Sequence, residues 1–289
     1  MNFQTIPVDR DTVGESPVWD HTEQCLYWID LPTNRVRCVW PASAQYREWK
    51  TPKAPGAIGL AGPGKLIAAL SDGFYLLDLA CGACEPLAAV QHAAPDIHMN
   101  DGRCDRSGRF IAGSGLLSRN EKDCFIYQLG VDGRVEVLQR DINLTNGICF
   151  SPAGDLMYFA DSRSGMLMVC DYDSAGATVG PARQFADTRP HGSVPDGATV
   201  DAEGGVWVAL IFNGCLLRFL PDGTLDRRIQ TPAPHVTSAC FGGPELDVLY
   251  VTSLREGGRI RSDDPAAGTL IAVTGLGVRG VPEGRFANR

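Results

Sequence analysis

Four polar residues recur at nearly the same point of a repeating phrase: Glu15, Asn100, Asn146 and Asp196. Three of them are followed, directly or one place on, by a glycine, in Asn100-Asp101-Gly102, Asn146-Gly147 and Asp196-Gly197, at spacings of 46 and 50 residues. All four offer oxygen, and none is Cys or His. Oxygen-only ligation suits a hard divalent cation such as Ca²⁺, Mg²⁺ or Mn²⁺, with waters completing the shell. Two carboxylates and up to two amides leave positions open for water and substrate, which a catalytic metal requires. A single Asn-Gly or Asp-Gly pair makes a tight turn and needs no further explanation. Four such residues in phase call for the elements that would bring them together.

Those elements are strands. Short apolar runs such as Cys25-Leu26-Tyr27-Trp28-Ile29, Leu66-Ile67-Ala68-Ala69-Leu70, Leu156-Met157-Tyr158-Phe159-Ala160 and Val206-Trp207-Val208-Ala209-Leu210 recur from end to end. They are rich in aromatic and β-branched residues and are separated by Gly, Asp, Asn or Pro. No run of ten or more residues has a convincing helical period. The chain reads as all-β. Six units begin near residues 15, 58, 100, 146, 196 and 237, the second marked only weakly by Gly56-Ala57-Ile58-Gly59. Repeats of about 40–50 residues with about four strands each are the sequence form of propeller blades. A six-bladed β-propeller filling residues 1–289 as a single domain is expected. In such a ring, residues at one phase of every repeat converge on the central axis, where four oxygen-bearing groups would repel one another without a cation. Ring closure is expected to pair Phe3-Gln4-Thr5-Ile6 with the last blade, which protects open edges.

Composition excludes some functions. The formal charge of −8 argues against nucleic acid, whose phosphates need a basic face. No apolar run approaches the ~18 residues of a spanning helix, so no membrane partner is expected. The ten cysteines sit mostly in apolar runs, and no charged-then-apolar leader opens the sequence. Reduced thiols in a cytoplasmic protein are therefore expected. Cys81-Gly82-Ala83-Cys84 has redox or zinc spacing but lacks a βα context and a second ligand pair, so it reads as a turn. No Gly-x-Ser-x-Gly elbow supports serine-hydrolase chemistry. Trp19, Trp28 and Trp207 are expected to pack between blades.

Gly14-Glu15-Ser16-Pro17-Val18-Trp19, Asn100-Asp101-Gly102-Arg103-Cys104-Asp105, Thr145-Asn146-Gly147, Pro195-Asp196-Gly197 and Cys240-Phe241-Gly242-Gly243-Pro244 together resemble the signatures of the SMP-30/gluconolactonase family, which includes regucalcin. The resemblance runs from about residue 13 to about residue 255. It implies a six-bladed propeller that binds one divalent metal and hydrolyses a sugar lactone. The implied metal is calcium first, with zinc, magnesium, manganese or Fe(II) as alternatives. It implies Glu15, Asn146 and Asp196 as metal ligands, Asp196 as general base, and Asn100 beside the metal holding substrate or water. Two positions depart from the family. His98 stands where members commonly have Arg, and Ser118, with Glu121 close by, stands where some have an acid. These positions contact sugar hydroxyls in relatives, so His98, Asn100, Ser118 and Glu121 are the expected substrate-binding set.

The chemistry expected is opening of a cyclic ester. A cation polarises the ring carbonyl, and Asp196 takes a proton from water and returns it to the ring oxygen. Metal ligation makes a carboxylate a weaker base, which leaves activation of the water by the cation itself as a second route. The expected partner is a small-molecule sugar lactone, with monomer or dimer left open. A non-enzymatic Ca²⁺-binding propeller, and an esterase for aryl or organophosphate esters, are the alternatives. Ile211-Phe212 hints at the latter through an apolar pocket.

Overall fold

The computed structural model describes residues 1–116, 118 and 121–287. Six antiparallel sheets form the six blades of a β-propeller, and no described residue lies in an α-helix. The innermost strands are Gly14–Asp20, Pro55–Leu60, His98–Cys104, Thr145–Phe150, Pro195–Val200 and Val236–Gly242. Each packs against the next, and the sixth against the first, which closes the ring. The starts lie within three residues of the repeat starts read from the sequence, the weakly marked second one included.

Strand polarity follows position. Inner and second strands are buried along nearly their whole length, because blades cover both of their faces. Outer strands such as Gln45–Lys50 and Leu225–Gln230 are mostly exposed, as a solvated sheet edge should be. Aromatic contacts link the blades. Trp19 stacks on Tyr250 between blades 1 and 6, with ring centroids 5.4 Å apart, and Trp207 meets Phe241 edge-on at 6.0 Å between blades 5 and 6. Trp28 is fully buried and donates its indole N–H to Asp11, 3.0 Å away.

The chain ends complete the last blade. Asn2–Thr5 pairs with Ile271–Thr274 in the register Asn2 with Thr274 through Thr5 with Ile271, and Ile6 N–H continues the ladder to Leu270 O at 2.9 Å. The expected closure is therefore present. The C-terminal tail crosses the end of the propeller away from the starts of the inner strands. Gly280 N–H bonds Leu246 O, Phe286 N–H bonds Leu60 O, and Glu283 forms a 2.7 Å ion pair with Arg103 of blade 3. A void of about 10 Å³ lies between this tail and the inner strands of blades 3, 4 and 5.

Cys81 lies in the turn between Gly73–Asp78 and Cys84–Ala89, and Cys84 opens the second of these strands. In that turn Asp78 Oδ1 accepts from the amides of Ala80 and Cys81, and Gly82 adopts a φ of 75°. This is turn chemistry, as expected. None of the ten cysteines forms a disulfide, and no helix among the described residues is long and apolar enough to cross a membrane.

Candidate active site

Every innermost strand loses register with its neighbour at the same place, one to three residues into the strand. The interruptions fall between Glu15 and Val18, Pro55 and Ala57, Met99 and Asp101, Asn146 and Cys149, Pro195 and Ala198, and Val236 and Ser238. A bulge leaves a residue out of the ladder and re-aims its side chain. Here Asn100, Asp196 and Thr237 are the residues left out, while Glu15 and Asn146 begin their interruptions. All five line one cavity of about 580 Å³ at the upper mouth of the axis. Blade 2 contributes Gly56 at this phase. A β-carbon there would come within 2.2 Å of Met99 O, so close approach of blades 2 and 3 requires glycine.

The bulges free backbone amides, and neighbouring blades satisfy them. Ser16 Oγ accepts from Ile58 N–H at 3.0 Å, and Asp101 Oδ2 accepts from Ile148 N–H at 2.8 Å. Asp101 Oδ1 takes Gly102 N–H at 2.8 Å as well, so this buried carboxylate is fully engaged in holding strands. Ser16 is held at a φ of 50°, and its N–H donates to Glu15 Oε2 at 2.9 Å, fixing the carboxylate over its own strand.

The two amides form a chain. Asn100 Nδ2 donates to Thr145 O at 2.9 Å and to Asn146 Oδ1 at 3.0 Å. Asn146 Nδ2 in turn donates to Ser162 Oγ at 2.9 Å. The network fixes which way each amide faces. Asn146 keeps one lone pair of Oδ1 for a ligand, and Asn100 presents its Oδ1 as an acceptor, its N–H groups being directed to blade 4.

The carboxylates are electrostatically exposed to each other. Burial is the main force raising the pKa of Glu15 well above the ordinary range, and the charges of Asp196 and Asp101 raise it further. Asp196 is raised well above its ordinary value by burial and by Asp101. Neither carboxylate has a Lys, Arg or His ion-pair partner among the described residues, and no hydrogen bond from them reaches Asp196. Two buried carboxylates and one amide oxygen, short of a counter-charge, are a donor set that fits a hard divalent cation. No three His, Cys, Asp or Glu side chains cluster among the described residues, so the amide of Asn146 is needed to complete a triad.

Of the expected residues, Glu15, His98, Asn100, Asn146 and Asp196 meet at this cavity. His98 is partly buried, which lowers its pKa and favours the neutral ring. Ser118 and Glu121 are exposed in the corresponding loop of blade 3 and do not line the cavity. Ser118 donates to Asp96 instead. His191 and His235 are also outside the lining. Sequence reasoning passed over Ser162, Arg163, Thr237 and Arg259, all of which line it. A signal existed for Ser162 and Arg163. In an antiparallel blade the end of the second strand lies beside the start of the first, so residues about 16 places after Glu15, Asn146 and Asp196 return to the mouth. They are Leu31, Ser162 and Phe212.

Comparison with known proteins gives the family. The SMP-30/gluconolactonase/LRE-like region matches residues 13–255. A protein of Pseudomonas putida named 6-deoxy-6-sulfogluconolactonase is 35% identical over 95% of both chains. Regucalcin of Bos taurus is 30% identical over 93% of both. Among solved structures, a calcium-binding protein, regucalcin, of Agrobacterium tumefaciens superposes with a TM-score of 0.91 at 28% identity, covering 98% of this chain and 96% of its own. The propeller with its ring of bulged inner strands therefore belongs to the SMP-30/gluconolactonase/LRE-like family.

Proposed function

We propose that this protein is a metal-dependent sugar lactonase that opens an aldonolactone to the aldonic acid. The observation that carries the proposal is the pair of buried carboxylates, Glu15 and Asp196, facing one cavity with Asn146 and lacking a counter-charge among the described residues. The P. putida relative bears a lactonase name, which supports the same reading.

Glu15, Asn146 and Asp196 would hold the cation, calcium first, and when bound it would polarise the ring carbonyl and offset the developing negative charge. Asp196 accepts a proton from the attacking water as the water oxygen bonds the carbonyl carbon. The same carboxyl then gives that proton to the ring oxygen as the C–O bond breaks, leaving a hydroxy acid. Asn100 Oδ1 accepts from a substrate hydroxyl, and His98 lies two residues before it on the same strand to bond a second. Ten thiols with no disulfide among them suit a reducing, cytoplasmic setting.

A pH-stat assay on gluconolactone and pentonolactones, with and without EDTA, tests the proposal. Acid release that disappears with EDTA and returns with Ca²⁺, Zn²⁺ or Mn²⁺ is expected. A protein that only binds calcium, as the description of the A. tumefaciens structure would suggest, releases no metal-dependent acid. One feature favours a second substrate class. Phe212 is 53% exposed at the apolar mouth, so aryl esters belong in the same panel.

A further inference from the structure

We infer that the preferred lactone carries an acidic substituent remote from its ring carbonyl, and that Arg163 and Arg259 form the cationic side of the cavity that receives it. The inference rests on the lactonase reading above and concerns the same cavity. Charge is arranged along the axis there. Glu15 and Asp196 lie deep, at the bulges, while Arg163 and Arg259 are exposed at the mouth. A divalent cation on the floor would offset the two carboxylates and leave the mouth as the net positive part of the cavity.

The chain has a formal charge of −8, and several of its arginines are committed to acids. Arg35 pairs with Glu48, Arg37 with Asp11, Arg103 with Glu283, Arg218 with Asp201 and Arg279 with Glu245. On the blade 6 hairpin, Arg261 pairs with Glu256, whereas its neighbour Arg259 has no acidic partner among the described residues and faces the cavity. Arg163 follows Ser162 in the turn after Leu156–Asp161, and its Nη2 donates to Leu116 O of blade 3 at 3.3 Å. The two arginines come from blades 4 and 6 on either side of blade 5, so they flank the mouth from two directions. A guanidinium fork matches sulfonate, phosphate or carboxylate oxygens, and hydrogen bonds to such groups are charge-assisted. Neutral sugar hydroxyls do not require such a pair; Asn100 and His98 already serve them.

The test compares lactones that differ only at the carbon farthest from the carbonyl: hydroxymethyl, carboxylate, phosphate ester and sulfonate. The metal-loaded protein is assayed at low salt. At least one anionic lactone is expected to exceed the neutral one in kcat/KM by about tenfold, the scale of one charge-assisted contact. Its KM is expected to climb with NaCl more steeply than that of the neutral lactone, because mouth charges are screened. Arg259→Ala and Arg163→Ala should each cost more on the anionic substrate than on the neutral one, and Arg259→Lys should recover part of the difference. Calorimetric binding of the anionic and neutral aldonic acids separates the two levels of the claim. Tighter binding of the anionic acid, lost in Arg259→Ala, supports the cationic mouth even if no lactone is opened, in which case only the lactonase reading falls. Hydrolysis of the neutral lactone with no anionic preference, or a preference that survives in the double Arg163→Ala/Arg259→Ala variant, overturns the inference while leaving the lactonase reading intact.

Discussion

Removing a single oxygen, that of Ser162, is expected to weaken metal binding without touching a ligand. Ser162 Oγ accepts the Nδ2–H of Asn146 at 2.9 Å, and both residues are buried, at 3% and 6% exposure. In Ser162→Ala that donor has two options. It can remain unsatisfied, at a cost of about 1–3 kcal/mol. Alternatively the amide can rotate, which sets its N–H groups against the donating Nδ2 of Asn100 and removes Oδ1 from its present bond to it. Either way the oxygen that completes the Glu15, Asn146 and Asp196 triad is no longer held in place. Groups that orient a ligand from behind are typically worth about 10–100-fold in metal affinity, so the Kd for Ca²⁺ should rise by that factor. Competition against a chelating dye, or calorimetry, measures it directly. The unfolding free energy in EDTA should fall by no more than about 3 kcal/mol, since one buried bond is lost. Ser162→Thr keeps the hydroxyl and should recover most of the affinity. Wild-type affinity in Ser162→Ala, within about twofold, would refute the idea that this serine sets the amide and would leave Asn146 held by Asn100 alone.

Three other outcomes are expected. Asp196→Asn should retain at most about 1% of lactonase kcat, given the ~10²–10⁴-fold contribution of a positioned acid–base group, and near-normal kcat would end its assignment. In EDTA, Glu15 and Asp196 hold protons in the folded chain that the unfolded chain has released. Their contribution is present below the ordinary carboxylate range near ~4 and is lost as pH rises through their raised values. Thermal unfolding of the metal-free protein should therefore show a downward slope with pH that Asp196→Asn flattens, while metal-induced stabilisation grows with pH; an identical slope in the variant would count against the coupling. Deleting residues 1–8 removes the closing strand and the buried Ile6, whose side chain alone is worth about 1.5–3 kcal/mol, so chemical denaturation should show at least that loss, and an unchanged midpoint would contradict the closure.

The architecture was legible because a propeller writes its geometry as a period. Glu15, Asn100, Asn146 and Asp196 share a phase, and the same phase places six register interruptions around the axis. The interruptions themselves were not legible. A bulge depends on how two strands pair, and Asn-Gly reads equally well as a turn. Blade 2 was faint because its residue at this phase is Gly56, selected for the approach to Met99 and not for any chemistry. The direction of the amides was invisible for a similar reason. Asn100 could donate or accept on paper, and only its bonds to Thr145 and Asn146 make it an acceptor toward the cavity. Ser118 and Glu121 came from resemblance alone, and the blade 3 loop directs Ser118 to Asp96. Arg259 carried no signal in a chain with many arginines, because what distinguishes it is the lack of an acidic partner among the described residues and its place at the cavity.

The C-terminal tail gives the molecule a directionality that the ring by itself lacks. Glu283, paired with Arg103, holds the tail across the end of the ring opposite the cavity. The cavity end is the doorway this arrangement leaves for reactant and product alike. A ring-opened acid is longer, more flexible and more negative than the lactone that entered, and it must back out past Phe212 and the two arginines before another molecule can enter. Egress, and with it inhibition by accumulated acid, becomes a property set at the doorway.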